Sequence, residues 1–379
     1  MADGFMAPPP KGPLNRYRPL SPNAAVHVSP ICLGTSNFGD NWAGLLGSCD
    51  KPTTEGILDY FYEQGGNFLD TANQYQDGQS EEWVGDWMKK RGVRDQMVIA
   101  TKYSLSDRGR FASSEITANT TGNNAKTLRV CVERSLKRLQ TDYIDILYVH
   151  YWDYHTSIPE VMQSLNQLIE AGKVIYLGIS DAPAWVVSKA NQYARDHGLR
   201  GFAVYQGLWS AAVRDFERDI IPMAREEGMA LAPWGALGRG NFKTDEQRKN
   251  DPGRNASVGV TLQNEITVGK ALAAIAERKG TIPTSLALAY VMKKCPYTFP
   301  VIGGRKIEHL KGNIEALKLD LSKEDIKEIE AAIPFDPGFP HTWLYMGAQP
   351  DHPADIWMMG MAGHFDHVPL PESIGPYKE

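Results

Sequence analysis

Eight short, strongly apolar runs recur along this chain, and most are followed by a stretch with the apolar spacing of an amphipathic helix. The runs occupy residues 31–35, 67–70, 97–102, 143–150, 174–180, 202–206, 229–234 and 298–303. They are dominated by aliphatic and aromatic residues and show little polar alternation, as strands buried on both faces do. Helical stretches such as AKTLRVCVERSLKRL and IPEVMQSLNQLIEAGK lie between them, several closed by Gly, a frequent helix stop. Such alternation predicts a parallel sheet with helices outside it. Periodicity leaves two architectures open, a closed (β/α)8 barrel and an open doubly wound sheet. The position of the chemistry has to separate them.

A barrel needs about 250 residues and tolerates insertions, so a chain of 379 residues fits one α/β barrel with additions. Residues 1–29 are expected to form an arm and a capping hairpin, residues 30–333 the barrel and residues 334–379 a tail. Residues 104–124 and 235–260 read as long polar loops that follow strands and so, in a barrel, lie on the catalytic face. The tail holds Trp343, Tyr345, Trp357, Met358, Met359 and Phe365, and is expected to be ordered, packed on the barrel or on a partner such as a second copy. A net charge of −5 argues against nucleic acid or an anionic membrane surface, which select basic proteins. No apolar span is long enough for a transmembrane helix, and the N-terminus lacks the apolar core of a signal peptide. The four cysteines are scattered without a C-x-x-C pair, so free thiols in a cytoplasmic protein are expected, and the sequons at Asn119 and Asn255 read as chance matches.

Ionisable residues stand at the C-terminal ends of successive runs: Asp70 closes the second, Lys102 the third and His150 the fourth. Tyr75 follows Asp70 in the loop NFLDTANQYQDG. Each has an ordinary explanation, since Asp70 fits a helix cap, Tyr75 a loop aromatic, Lys102 a solvated strand end and His150 a core histidine. His150, Asp153 and His155 are also ligand types for a metal. The placement of Asp, Lys and His at equivalent ends of consecutive strands favours one shared site, because buried singly each is costly while together they satisfy one another.

In order and spacing, NFLDTANQY, GQSEEWVG, VIATK and YIDILYVHYWD resemble the aldo-keto reductase superfamily over roughly residues 28–333. Within it the chain is most similar to the fungal aryl-alcohol dehydrogenase and norsolorinic acid reductase group. The resemblance implies a (β/α)8 TIM barrel with long catalytic-face loops and an extended C-terminal tail, which removes the open sheet. It implies Tyr75 as the general acid that protonates a carbonyl oxygen as hydride arrives, and as the base in alcohol oxidation. Lys102 would assist: a cation about 4 Å away at an effective dielectric of about 20 favours the phenolate by up to about 4 kcal/mol. Asp70 would hold Lys102, and His150 would align the substrate oxygen.

No G-x-G-x-x-G follows a strand, so a dinucleotide has to be held by other means. The resemblance implies NADP. Ser180, Asp181 and Gln206 would meet the nicotinamide carboxamide, with Asp181 standing where Asn is common, and Trp209 would stack on the ring in place of the more frequent Tyr. Pro233, Gly235, Leu237, Arg239 and Gly240 would line the pyrophosphate loop. In VIGGRKIEHLKGN a strand runs into a helix, placing Gly304, Arg305, Lys306, His309 and Asn313 for the adenosine phosphate. Trp42 and Trp152 are the expected pocket walls, which suit a flat aromatic aldehyde or ketone as the small-molecule partner. Two other readings stand beside this one: an NADPH-binding regulatory module resembling the potassium-channel β subunits, and a lyase using Lys102 as a Schiff base.

Overall fold

A computed structural model of the chain describes residues 7–108, 115–243, 246, 262–347 and 352–378. Parts of both long loops, and the sequon at Asn255, lie outside the described residues. Strands β1 (Arg18–Ser21) and β2 (Ala24–Val28) form an antiparallel hairpin. Eight parallel strands follow: β3 (Cys32–Gly34), β4 (Phe68–Asp70), β5 (Val98–Tyr103), β6 (Ile144–Val149), β7 (Val174–Ser180), β8 (Phe202–Leu208), β9 (Ala230–Trp234) and β10 (Val301–Ile302). They pair in the order β10-β3-β4-β5-β6-β7-β8-β9. Beside β9, a parallel bridge from Leu231 to Thr298 and a hydrogen bond from Phe299 N to Leu231 O (2.8 Å) bring the two ends together, which excludes the open sheet. The last run shrinks to two paired residues because Pro300, in its middle, has no N–H to give a ladder.

Helices flank the strands: α1 (Ala43–Leu46), α2 (Lys51–Glu63), α3 (Gln79–Arg91), α4 (Ala125–Leu139), α5 (Ile158–Glu170), α6 (Ala184–Asp196), α7 (Ile220–Glu226), α8 (Leu262–Lys279), α9 (Pro283–Lys294), α10 (Ile307–Glu315) and α11 (Lys323–Ala331). Helix α4 coincides with its predicted span. The Asn124 side chain accepts from Thr127 N at its start and a left-handed Gln140 follows its end. Three of these helices were not among the predicted ones, the four-residue α1 and two longer ones. Helix α9 buries a continuous run from Ser285 to Val291, and a helix apolar all round carries no amphipathic signature. Helix α11 carries a start signal that the sequence did show, the capping box of Ser322 and Asp325.

The hairpin sends Leu20, Ala24 and Val28 into a cluster with Phe68, Val98, Ile146, Val204, Ala230 and Phe299, all from the barrel strands or the chain entering them. These side chains fill the N-terminal end of the barrel, leaving the opposite mouth for chemistry. The tail is held near both ends. Arg218 Nε donates to Pro337 O at 2.9 Å with Phe335 beneath its guanidinium, and Tyr377 N donates to Leu317 O at 2.9 Å. Between these anchors Trp343 packs edge-on against Trp357, while Phe339 and Met361 are largely exposed. Among the described residues, no helix is long and apolar enough to cross a membrane.

Candidate active site

Asp70 ends β4 and Lys102 is the fifth residue of β5, so adjacent parallel strands set the two side chains side by side at the mouth. Lys102 Nζ lies 2.5 Å from Asp70 Oδ1, 2.8 Å from Thr71 O and 3.4 Å from Tyr75 Oη. An ammonium has three N–H donors, and these are three acceptors. The consequence concerns the phenol: because Lys102 donates to Tyr75 Oη, the phenolic hydrogen is free to point elsewhere. The second Asp70 oxygen accepts from Gln206 Nε2 at 2.9 Å, reaching across the barrel from β8. Lys102 and Asp70 are buried and fully paired, the condition under which a buried ion pair is tolerated.

The loop after β4 holds Tyr75 over this pair. Asn73 N donates to Lys102 O at 3.1 Å, tying the loop to β5, and the chain then turns through left-handed Gln76, Asp77 and Gly78. Left-handed non-glycine residues cost of order 1 kcal/mol or more each and need support. Gln76 supplies it: its buried amide accepts from Trp42 N at 2.6 Å and donates to Ser36 O at 3.0 Å. The same bonds fix half-buried Trp42 beside the mouth.

Burial alone would push the Lys102 ammonium down, but Asp70 and Tyr75 together hold it above the ordinary lysine value. For Tyr75 burial wins: the phenol is held above its usual pKa although Lys102 pulls it down. The lowering expected from Lys102 alone is therefore outweighed in the free protein. His150, just beyond β6, has its pKa driven well below the imidazole value by burial and by Lys102. Its ring stands edge-on to Tyr75 at 5.9 Å between centroids, and its buried Nδ1 has no hydrogen-bond partner among the described residues. The site thus joins a protonated phenol, a cation behind it and a neutral imidazole with an unused polar atom. Among the described residues no group of three metal-ligating side chains gathers; Asp153 instead accepts from Asn123 N, His155 N and Thr156 N.

Around the mouth, Ser180 and Gln206 are buried, while Asp181 is open and left-handed. Cleft walls raise the Asp181 pKa to about 6 through loss of water, against the pull of Trp234, Lys102 and Ser180. Two expected aromatics are placed differently. Trp209 is fully buried and stacked on Phe216 (5.6 Å, 9°), so it offers no open face for a ring to stack on. Trp152 is 7% exposed and packs among the helices outside the barrel, leaving little surface to form a pocket wall. Trp234, half-exposed at the end of β9 and interacting with Asp181, stands at the mouth as a further aromatic. It is the last residue of the seventh apolar run, and its strand-end position was the signal that could have singled it out.

Farther along, Pro233 is buried, Gly235 and Leu237 are half-buried, and Gly240 is exposed. Gly235 needs its left-handed φ of 75°, and a Cβ there would strike Leu208. Arg239, assigned to a pyrophosphate, is instead engaged by the buried Glu265 carboxylate at 3.0–3.1 Å, which also accepts from Asn241. Gly304 packs against His309 at the start of α10, where Arg305, Lys306 and His309 are exposed and Asn313 is buried. Lys306 caps α10 without a side-chain hydrogen bond, so the helix start presents backbone N–H groups beside two cations. This donor set fits a phosphate, and the open Asp181 beside Trp234 fits an amide-bearing ring, so the residues present suit a nicotinamide dinucleotide.

A barrel mouth holding a paired lysine, a protonated tyrosine and a neutral histidine brings together groups chemically able to give and take a proton. The aldo/keto reductase family model matches residues 30–334, and the chain belongs to that family of oxidoreductases. It is 55% identical over 371 residues to norsolorinic acid reductase B of Dothistroma septosporum, covering 95% of this chain and 94% of that protein. It is 52% identical to an aryl-alcohol dehydrogenase of Pestalotiopsis microspora (99% and 97% covered) and 47% identical to the aryl-alcohol dehydrogenase [NADP(+)] of Phanerodontia chrysosporium (98% and 98%).

The electrostatics predict a level pH profile. Tyr75 ionises above its usual 10 and His150 well below its usual 6.5, so neither changes charge between about pH 7.5 and 9. The kcat/KM for carbonyl reduction, whose pH dependence reports groups before the carbonyl binds, should stay level across that window. A step larger than about threefold that disappears in His150→Gln would contradict the assignment of charge states.

Proposed function

We propose that this protein is an NADP-dependent, cytoplasmic reductase that reversibly converts aromatic aldehydes or ketones to alcohols. A bound reduced nicotinamide supplies the hydride. Tyr75 Oη gives its proton to the carbonyl oxygen, and the resulting phenolate is stabilised by the Lys102 ammonium 3.4 Å away. Asp70 keeps Lys102 charged and aimed. His150 meets the substrate oxygen through its neutral ring and aligns the carbonyl. In alcohol oxidation the same phenolate takes the hydroxyl proton back. The observation that carries this reading is the direction of the Lys102–Tyr75 hydrogen bond, which leaves the phenolic hydrogen available to a substrate.

Asp181, Ser180 and Trp234 would hold the nicotinamide half, with Trp234 taking the stacking role expected of Trp209. Arg305 and Lys306 at the start of α10 would hold the 2′-phosphate, which favours NADP over NAD. The names of the relatives, reductases and aryl-alcohol dehydrogenases, support an aromatic carbonyl, and the half-buried Trp42 supplies a flat wall for one.

Incubation with NADPH and a panel of benzaldehydes and aryl ketones should consume NADPH. In Tyr75→Phe, carbonyl reduction should fall by at least about 100-fold while the NADPH dissociation constant changes by less than about twofold. Unchanged turnover would overturn Tyr75 as the acid, and tight NADPH binding by the unaltered protein without turnover would favour a regulatory binding module. Arg305→Ala should weaken NADPH at least about tenfold more than NADH. Equal losses for the two cofactors would remove the 2′-phosphate role.

A further inference from the structure

Behind the mouth, away from substrate and cofactor, Arg138 near the end of α4 touches both segments that carry the proton-transfer residues. Its Nη1 donates to Asn73 O at 3.1 Å, two residues before Tyr75. The plane of the guanidinium lies so close to Gly78, three residues after Tyr75, that a Cβ there would sit 2.3 Å from Arg138 Cζ. Nη1 also lies 3.5 Å from Glu81 Oε2, and the other Glu81 oxygen accepts from Thr101 Oγ1 at 2.6 Å, one residue before Lys102. Nη2 makes an ion-pair contact of 2.9 Å with Asp107 in the loop that follows β5, and Arg134 from the preceding turn of α4 holds the other Asp107 oxygen at 2.7 Å.

The charges form a closed set. Arg134 and Arg138 face Glu81 and Asp107, and both carboxylate side chains are at most 1% exposed. Truncating one member of such a buried network leaves its partners unpaired. The Tyr75 segment depends on outside support, because it contains two left-handed non-glycine residues and a hydrogen bond to Lys102 already at the long end of the range. A displacement of about 1 Å at a reacting group can cost about 100-fold in rate.

We propose that Arg138, through Asn73, Gly78, Glu81 and Asp107, is a positioning residue that sets the separation of Tyr75 and Lys102 for proton transfer. The inference rests on Tyr75 being the acid, as proposed above. It assigns a catalytic consequence to a side chain that touches neither reactant, and it makes α4 the back plate against which the mouth is registered.

The test combines amide hydrogen exchange with kinetics on the full chain. In Arg138→Ala, exchange should quicken by about tenfold or more in peptides covering residues 71–78 and 101–107, with the rest of the barrel unchanged. The turnover number should fall by about tenfold to 100-fold while the dissociation constant for NADPH and the KM for the carbonyl stay within about twofold. Arg138→Lys, which keeps the charge but loses the fork, should lie between Ala and the unaltered protein in both measurements. Added guanidinium ion should restore part of the Arg138→Ala rate. Unchanged exchange in residues 71–78 in both variants would overturn the proposal, as would a turnover number that does not respond. Loss of NADPH binding in proportion to turnover in Arg138→Lys would also overturn it, by showing a general structural defect. If the unaltered protein reduces no carbonyl, the reading of Tyr75 fails, and the exchange measurement still decides whether Arg138 anchors the two segments.

Discussion

The ion pair between Lys102 and Asp70 is the constraint on which the site depends. Both side chains are buried, and burying a charge without a partner costs several kcal/mol. The pair is tolerated because every donor is used: Asp70, Thr71 and Tyr75 take the ammonium, and Gln206 takes the second carboxylate oxygen. The same completeness aims the chemistry. With Lys102 donating to Tyr75, the phenol has one proton and one direction in which to offer it.

The barrel makes this arrangement possible by register. Parallel pairing puts Asp70 opposite Ala100 and Lys102 opposite Tyr148, so Asp70, Lys102 and His150 emerge at one rim, and the loop after β4 has only to bring Tyr75 over them. At the other end the hairpin supplies Leu20, Ala24 and Val28 to close the interior. The helices contribute more than cover, since α4 reaches the Tyr75 segment through Arg138 and the loop after β5 through Arg134.

Much of this was legible in the chain itself. Apolar runs marked the strands because parallel strands in a barrel are covered on both faces, and Asp70, Lys102 and His150 stood out because ionisable residues at the ends of such runs are conspicuous. What could not be read was which aromatic faces inward. Trp209 and Trp152 lie just past strand ends, as pocket residues do, yet Trp209 stacks on Phe216 and Trp152 packs among the outer helices. Nothing in a one-dimensional pattern distinguishes a ring that turns toward the mouth from one that turns toward the helices. Trp234 was passed over within an apolar run, and Arg239 was assigned to the pyrophosphate loop without sight of its partner Glu265, which lies 26 residues away. Helix α9 escaped notice for the same reason that it is stable, being apolar on nearly every side.

The central claim is that Asp70, acting on Lys102, prepares Tyr75 to give its proton. It is tested most directly by single-turnover oxidation of bound NADPH by a benzaldehyde in Asp70→Asn, with NADPH affinity measured on the same preparation. The account predicts a chemical step slower by about 100-fold with the NADPH dissociation constant within about twofold of the unaltered protein. A chemical step at the unaltered rate in a folded, cofactor-binding Asp70→Asn protein would contradict it.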